Sequence, residues 1–507
     1  MGRRLMDKYL LGIDIGTSGC KATVFTYGGQ VIAHASEGYP VRYPRPGYAE
    51  QDPEKWWSAA CRAIRRIVET VPPETISAVG VDGQSWSAVA VDKAGTVLAP
   101  TPIWTDTRAL RQSGRMAEIC GEERLFKICG NPIQPSYTTP KVLWYKDNMP
   151  DTYMYADKIL QSNSFIVYRL TDTCVQDHSQ GYGWSCYDIA KGIWNLDICR
   201  ELGIRDSLLP EIVPCHQIVG GVTAQAAREC LLLEGTPVAA GGLDAACGAL
   251  GAGVVRVSQT HEQGGQAGGM SICVDEPRAV KELILSSHVV PGKWLLQGGT
   301  VGGGGALNWF ADVVGPRLED TNKAGKNVFA LMDEEALAVS PGCDGVVFLP
   351  YLSGERSPIW DADAKGVFYG MRFSTGRSHM ARAVMEGVAF SLRHNLETAS
   401  TAGAKVSVMR SVGGAANSSL WTQIKADATQ HAMEVTSSDT ATALGAAILA
   451  GVGCGAYRSF EDAVVKTVRV KHVYSPDRGL AGAYERAYRL YREVYGNLKP
   501  VMDGRVE

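Results

Sequence analysis

The 507-residue sequence predicts an α/β protein of two domains, and three observations carry that prediction. Apolar runs of strand length alternate with amphipathic helical stretches through the first half, and a second alternation starts near residue 260. Hydrophobic residues make up 45% of the chain and charged residues 20%, the balance of a folded enzyme-sized protein with ample core.

The elements follow in order. YLLGIDIGTSGCKATVF runs from a buried strand through a Gly/Ser/Thr turn into a second strand, and QVIAHASE reads as a third. In DPEKWWSAACRAIRRIVETV, Asp52 is the expected N-cap with Pro53 at N1, and Trp56, Ala60, Ala63, Ile64, Ile67 and Val68 recur at helical spacing. Strands are expected at 76–82 and 87–92, and helices at 107–129 and 138–149. The second half opens on glycine-rich segments, GGQAGG (264–269) and GGTVGGGG (298–305). There a strand at 407–414 runs into a glycine turn, and periodicity marks helices at 378–402, 417–431, 439–451 and 476–497. The domain boundary falls near 250–258, dividing the chain into 1–254 and 255–507, with no exact sequence repeat.

Fifty basic residues face 53 acidic ones, a net charge of −3, so no broad basic field exists for nucleic acid or an anionic membrane. A small-molecule partner is expected. Thirteen scattered cysteines without a C-x-x-C pair read as reduced, buried thiols of a cytoplasmic protein. Arg3 and Arg4 precede only the short apolar run Tyr9–Ile13, too short for a signal segment or a membrane span.

Five segments could carry chemistry. In Asp14-Ile15-Gly16-Thr17-Ser18-Gly19 a buried strand turns sharply, so backbone N–H groups and two hydroxyls can converge on an anion while Asp14 faces a metal; a plain glycine hairpin is the alternative. No G-x-x-x-x-G-K-[ST] occurs, and GVGCGA (451–456) follows a helix and reads as its C-cap. PVAAGGLDAACGALGAG (237–253) holds Asp244 at a strand-to-helix junction, either as a general base or as an N-cap. SVGGAANSSLWTQIKADATQ (411–430) offers a Gly-Gly turn for a flat ring, or a glycine turn capped by Asn417 or Ser418. GQSWSAV and PIWTDTR set Trp86 and Trp104 beside polar groups at strand ends, as sugars require, though core tryptophans are commoner. The run Arg62–Arg66 reads as a solvated helix face.

Together these segments resemble the FGGY family of carbohydrate kinases, members of the actin-like superfamily, across essentially the whole chain. SYTTPKVLWYKDN (136–148) resembles the first family signature, with Tyr145 where an aliphatic residue or Phe is usual. GVFYGMRFSTGRSHMARAVMEG (366–387) fits the second, and FLPYLSGERSPIWDADAKGVFYG (348–370) is the most specific piece of the likeness.

The resemblance implies two ribonuclease-H-like α/β domains flanking a central cleft, sugar held mainly by the N-terminal domain and ATP by the C-terminal one. Asp14 resembles the magnesium-coordinating acid, joined by Asp244, and Gly16, Thr17, Ser18 and Lys21 the first phosphate loop. Asp244 matches the general base acting on a terminal sugar hydroxyl. Gly265, Gln266, Gly299, Thr300 and Gly303 fall on the nucleotide side, and Gly413, Gly414 and Asn417 where the family holds adenosine. Gln84, Ser85, Trp86, Trp104 and Asp106 match sugar-facing strand ends. Two departures stand out: Ser85-Trp86 replaces the usual Met-His, and EQGGQAGGM (262–270), with Gln266, replaces a Gly-Thr-Ser-Gly loop. The implied activity is ATP- and Mg2+-dependent phosphorylation of a ketopentose, D-xylulose first, with ribulose, erythritol and gluconate as other acceptors and a homodimer as the family's common assembly. Two other readings stay open, a sugar-binding regulatory protein and a chaperone-like ATPase.

Overall fold

The computed structural model describes residues 8–316, 321, 325–437 and 440–504, so Arg3, Arg4 and position 439 of an expected helix lie outside the described residues. Its framework is two mixed sheets. The first orders its strands Val31–Gly38, Gly19–Thr26, Tyr9–Ile15, Ile76–Gly83, Pro237–Ala239 and Ile218–Gly221, with Gly242–Leu243 also paired to Ile76–Gly83. The first three form the antiparallel meander expected from the sequence, and Ile76–Gly83 joins it in parallel. In the second sheet the order is Trp294–Thr300, Gly268–Val274, Gln259–Gly264, Val408–Val412, Met433–Thr436 and Val470–Tyr474, with Ile284–Ser287 added at one edge. Strand for strand this is the first sheet again: three antiparallel, two further strands in parallel, the last antiparallel. The repeat invisible in the residues is thus a repeat of topology, and the fold is the α/β pair of ribonuclease-H-like domains.

Local chemistry explains most elements. Asp52 caps helix Pro53–Val68 by accepting from Glu54 N–H at 3.0 Å, while Trp56, Ala60, Ala63, Ile64 and Ile67 enter the core beneath it. The exposed face of that helix carries Arg62 and Arg66, both paired with Glu37. The helix expected over 107–129 is two, Leu110–Cys120 and Glu122–Cys129, because Gly121 sits between them at φ 77°. The strand expected at 87–92 narrows to Val89–Val91 and pairs with Lys158–Leu160 outside the main sheet. Ser418, one of the two expected caps, starts helix Ser419–Thr429 by accepting from Trp421 N–H. All thirteen cysteines are free thiols and most are buried. Among the described residues no helix is long and apolar enough to cross a membrane.

The halves join through small residues. Helix Ala441–Gly453 leaves the second half and lies on strands Tyr9–Ile15 and Ile76–Gly83 of the first sheet, and against helix Asp244–Gly251. Glycine makes this approach possible: a Cβ on Gly80 would stand 1.8 Å from the Ala446 carbonyl oxygen, and one on Gly251 1.8 Å from that of Ala441. Leu10, Ala78, Leu250, Leu444 and Ile448 consequently belong to a single apolar core that spans both sheets.

Candidate active site

The equivalent hairpin turn of each sheet opens on one cavity of about 680 Å³. Gly16–Ser18 follows the first strand of the first sheet, with Gly16 N–H bonded to Gly19 O at 3.1 Å. Gly265–Ala267 follows the first strand of the second. The segment is a glycine hairpin as well as a candidate phosphate loop; what distinguishes it is the cavity it faces. Asp14, Lys21, Asp244, Ser85, Trp86, Trp104, Tyr182, His261, Gln263, Gly299 and Arg356 complete much of the wall.

Strand register builds the acidic centre. Asp14 lies opposite Lys21 on one neighbouring strand and Asp82 on the other, and Asp82 lies beside Gly242, two residues before Asp244. Burial pushes the Asp14 carboxyl up, opposed by the Lys21 charge. Asp82 is driven well up, by burial first, then by the charges of Asp14 and Asp244 and by a carboxyl–carboxylate hydrogen bond shared with Asp14. Asp244 opens helix Asp244–Gly251 and accepts from Ala245 N–H at 2.6 Å. Burial and the Asp14 charge lift it to about 7, suiting a carboxylate to proton transfer near neutral pH.

At one end of the cavity wall Trp86 adopts φ 56°, a left-handed conformation costly for a bulky residue. Its ring packs against Tyr137 and Tyr182 at centroid distances of 4.5 and 5.5 Å, and Tyr182 OH donates to Ser85 Oγ at 2.9 Å. Trp104 Nε1 donates to Thr17 Oγ1 at 2.8 Å, tying this aromatic wall to the first turn. Gln84 stands behind the wall: its Nε2 donates to Gln51 Oε1, and Gln51 Nε2 donates to Thr17 O. Asp106 is fully buried, accepting from Ala49 N–H and gripped by Arg108, so the structure places it as a support for this wall rather than on it.

Fully buried Lys141 holds the same wall from beneath, its Nζ donating to Trp86 O and Ile103 O at 2.8 and 2.7 Å. Burial lowers its pKa from 10.5 to about 7, so between those values the unfolded chain binds the extra proton and stability rises with pH. Lys141→Met removes that increment. Its deficit in urea unfolding therefore widens from pH 7 to pH 9, by up to about 1.4 kcal/mol per pH unit; a deficit independent of pH contradicts the lowered pKa.

On the opposite side the glycine-rich segments interlock. Gly304 and Gly305 N–H donate to Gly265 O and Gln266 O, both at 2.8 Å, fixing the start of helix Gly303–Val313 against the second turn. Gly265, Gln266 and Gly299 face the cavity, whereas Gly303 is buried with no room for a Cβ beside Gly268 N, and Thr300 donates to Glu355. Gly413, Gly414 and Asn417 are exposed at the end of the next strand, outside the cavity wall; Gly414 has open space where a side chain would point. Asp82, Tyr182, His261, Lys141 and Arg356 were not singled out as site residues from sequence. Of these, Lys141 lay in the first signature stretch, SYTTPKVLWYKDN, and Arg356 in FLPYLSGERSP.

Two ribonuclease-H-like sheets that each present a hairpin turn to a shared, carboxylate-lined cleft define a phosphotransferase of the actin-like class. The model of the FGGY family of carbohydrate kinases, N-terminal domain, matches residues 9–251 and that of its C-terminal domain residues 273–454. The chain belongs to this family and is a carbohydrate kinase. It is 31% identical over 496 residues to the xylulose kinase of Bacillus subtilis, covering 97% of each chain. The crystal structure of the xylulose kinase from Rhodospirillum rubrum superposes with a TM-score of 0.90 at 29% identity, over 98% of this chain and 100% of that one. A gluconokinase of Bacillus subtilis is 28% identical, covering 98% of this chain and 97% of its own.

Proposed function

We propose that this kinase transfers the γ-phosphate of ATP to the terminal hydroxyl of a ketopentose, D-xylulose, giving D-xylulose 5-phosphate and ADP. The observation that carries the reading is Asp244, held at a helix start in a cavity whose two ends are a donor-rich aromatic wall and a pair of glycine turns. The xylulose kinases among its relatives support the choice of sugar.

In this reading the sugar lies against Ser85, Trp86 and Trp104, and its terminal O–H points at Asp244. The carboxylate takes the proton as the hydroxyl oxygen forms its bond to phosphorus and the bond from phosphorus to the β–γ bridging oxygen breaks, leaving on ADP. Gly16, Thr17, Ser18 and Lys21 cradle the transferring phosphate, with Gly265, Gln266 and Gly299 on the ADP side. The reaction needs little covalent work from the protein, so placement and charge stabilisation dominate. Asp14 and Asp244 supply the hard oxygen donors that magnesium prefers, and the mutual repulsion of these buried carboxyls with Asp82 fits a centre that a cation would relieve. There the ion would neutralise charge on the phosphates. Gly413, Gly414 and Asn417 would meet the adenosine end, at the rim. The same reading gives a cytoplasmic metabolic enzyme.

The test is ADP release from MgATP over D-xylulose, D-ribulose, L-ribulose, erythritol and gluconate, with a sugar-free control. Strong release with D-xylulose alone is expected. Release without sugar points to a chaperone-like ATPase, and sugar binding without release to a regulatory protein; either overturns the proposal.

A further inference from the structure

Arg356 is, among the described residues, the one cation that the second half of the chain contributes to the cavity wall. Among the described residues its guanidinium has no hydrogen bond or ion pair, although the side chain is only partly exposed. The neighbouring carboxylate feels its charge but makes no ion pair with it: Glu355 accepts from Thr300 Oγ1, Val301 N–H and the Arg356 backbone N–H. The guanidinium instead stands over the Trp104 ring, 6.0 Å from its centroid. Within the cavity its charge is felt by Tyr137 and Tyr182, the rings that pack on Trp86, as well as by adjacent Glu355, and it is not among the charges that shift Asp14 or Asp244. It therefore belongs to the acceptor end of the cavity, across from Ser85 and Trp86. A fork of five N–H donors without an acceptor, facing an aromatic wall on the opposite domain, lacks the oxygen that would satisfy it.

We propose that Arg356 hydrogen-bonds the oxygens of the bound sugar, so that the second domain reads an acceptor seated on the first and sugar binding draws the two together. The proposal rests on the sugar occupying the Ser85–Trp86–Trp104 wall. Because Trp104 also holds Thr17 of the first turn, a sugar gripped by Arg356 would be registered at the phosphate loop as well. Arg356 is thus a positioning residue for the acceptor and has no direct part in holding the nucleotide.

The test compares wild type with Arg356→Met and Arg356→Lys, with thermal unfolding and calorimetric binding of ADP as checks on the fold. Arg356→Met is expected to raise KM for D-xylulose, and the calorimetric Kd for D-xylulose in the presence of ADP, by about tenfold or more, the scale of one lost charged hydrogen bond. KM for ATP should stay within about twofold, and Arg356→Lys should recover part of the loss, since it keeps the charge but not the fork. Unchanged D-xylulose KM and Kd in both variants, or a change confined to KM for ATP, overturns the role of Arg356. Wild-type protein that neither binds nor phosphorylates D-xylulose overturns the acceptor assignment itself, and with it this proposal.

Discussion

Asp244→Ala lowers kcat for sugar phosphorylation by about 10²–10⁴-fold, the usual worth of a positioned acid–base group, while the protein folds and binds sugar. The residue sits at the first turn of its helix without capping it, its one hydrogen bond coming from the adjacent Ala245 N–H. Little structure therefore depends on the carboxylate. Removing it also lifts one of the negative charges bearing on buried Asp82. Unfolding temperature is accordingly expected to be unchanged or slightly raised, in contrast to the collapse in turnover. Single-turnover kinetics with saturating MgATP and D-xylulose give the decisive reading: a variant within a few-fold of wild type removes Asp244 from the base role.

The largest effect on stability is expected from Gly80→Val. The Cβ it adds would meet the Ala446 carbonyl at 1.8 Å, and that atom is helix backbone, unable to swing aside as a side chain could. Helix Ala441–Gly453 must then lift from the first sheet, and the loss is about 3 kcal/mol or more. Gly114→Ala is the control, since a Cβ at Gly114 meets nothing within 4 Å and the residue lies inside a helix. It should be neutral, or stabilising by about 0.5–1 kcal/mol. Urea titration of both variants checks the contrast, and comparable stability for Gly80→Val and wild type would show the interface able to open at little cost.

How much of this could be read from the residues alone depended on how local the signal was. Asp52-Pro53 before an apolar period of 3.6 defines a helix start within four residues, and the DIGTSG turn between two apolar runs defines a hairpin just as locally. Asp14, Thr17 and Asp244 were legible for the same reason, each standing where a strand ends in small residues. Asp82 carried no such mark, because its importance comes from lying beside Asp14 in a parallel register set by strands far apart in sequence. Lys141 looked like one more charged helix residue, yet it is fully buried beneath two strand-end carbonyls. Asp106 fitted the sugar pattern by composition and was drawn behind the wall by Arg108, a partner two residues on. The long helix at 107–129 failed at a single glycine, where left-handed φ outweighed an otherwise continuous period.

The placement of helix Ala441–Gly453 also governs how the chain comes into being. The first sheet is complete once Leu243 has been made, but the helix that covers one of its faces is among the last segments synthesised. During translation the apolar floor around Leu10 and Ala78 stays open to solvent and to other nascent chains, and final closure waits for the C-terminal part to arrive. A fragment ending at the domain boundary keeps that floor exposed permanently and is destined for aggregates or chaperones, whereas the two fragments expressed together can bury it in one another.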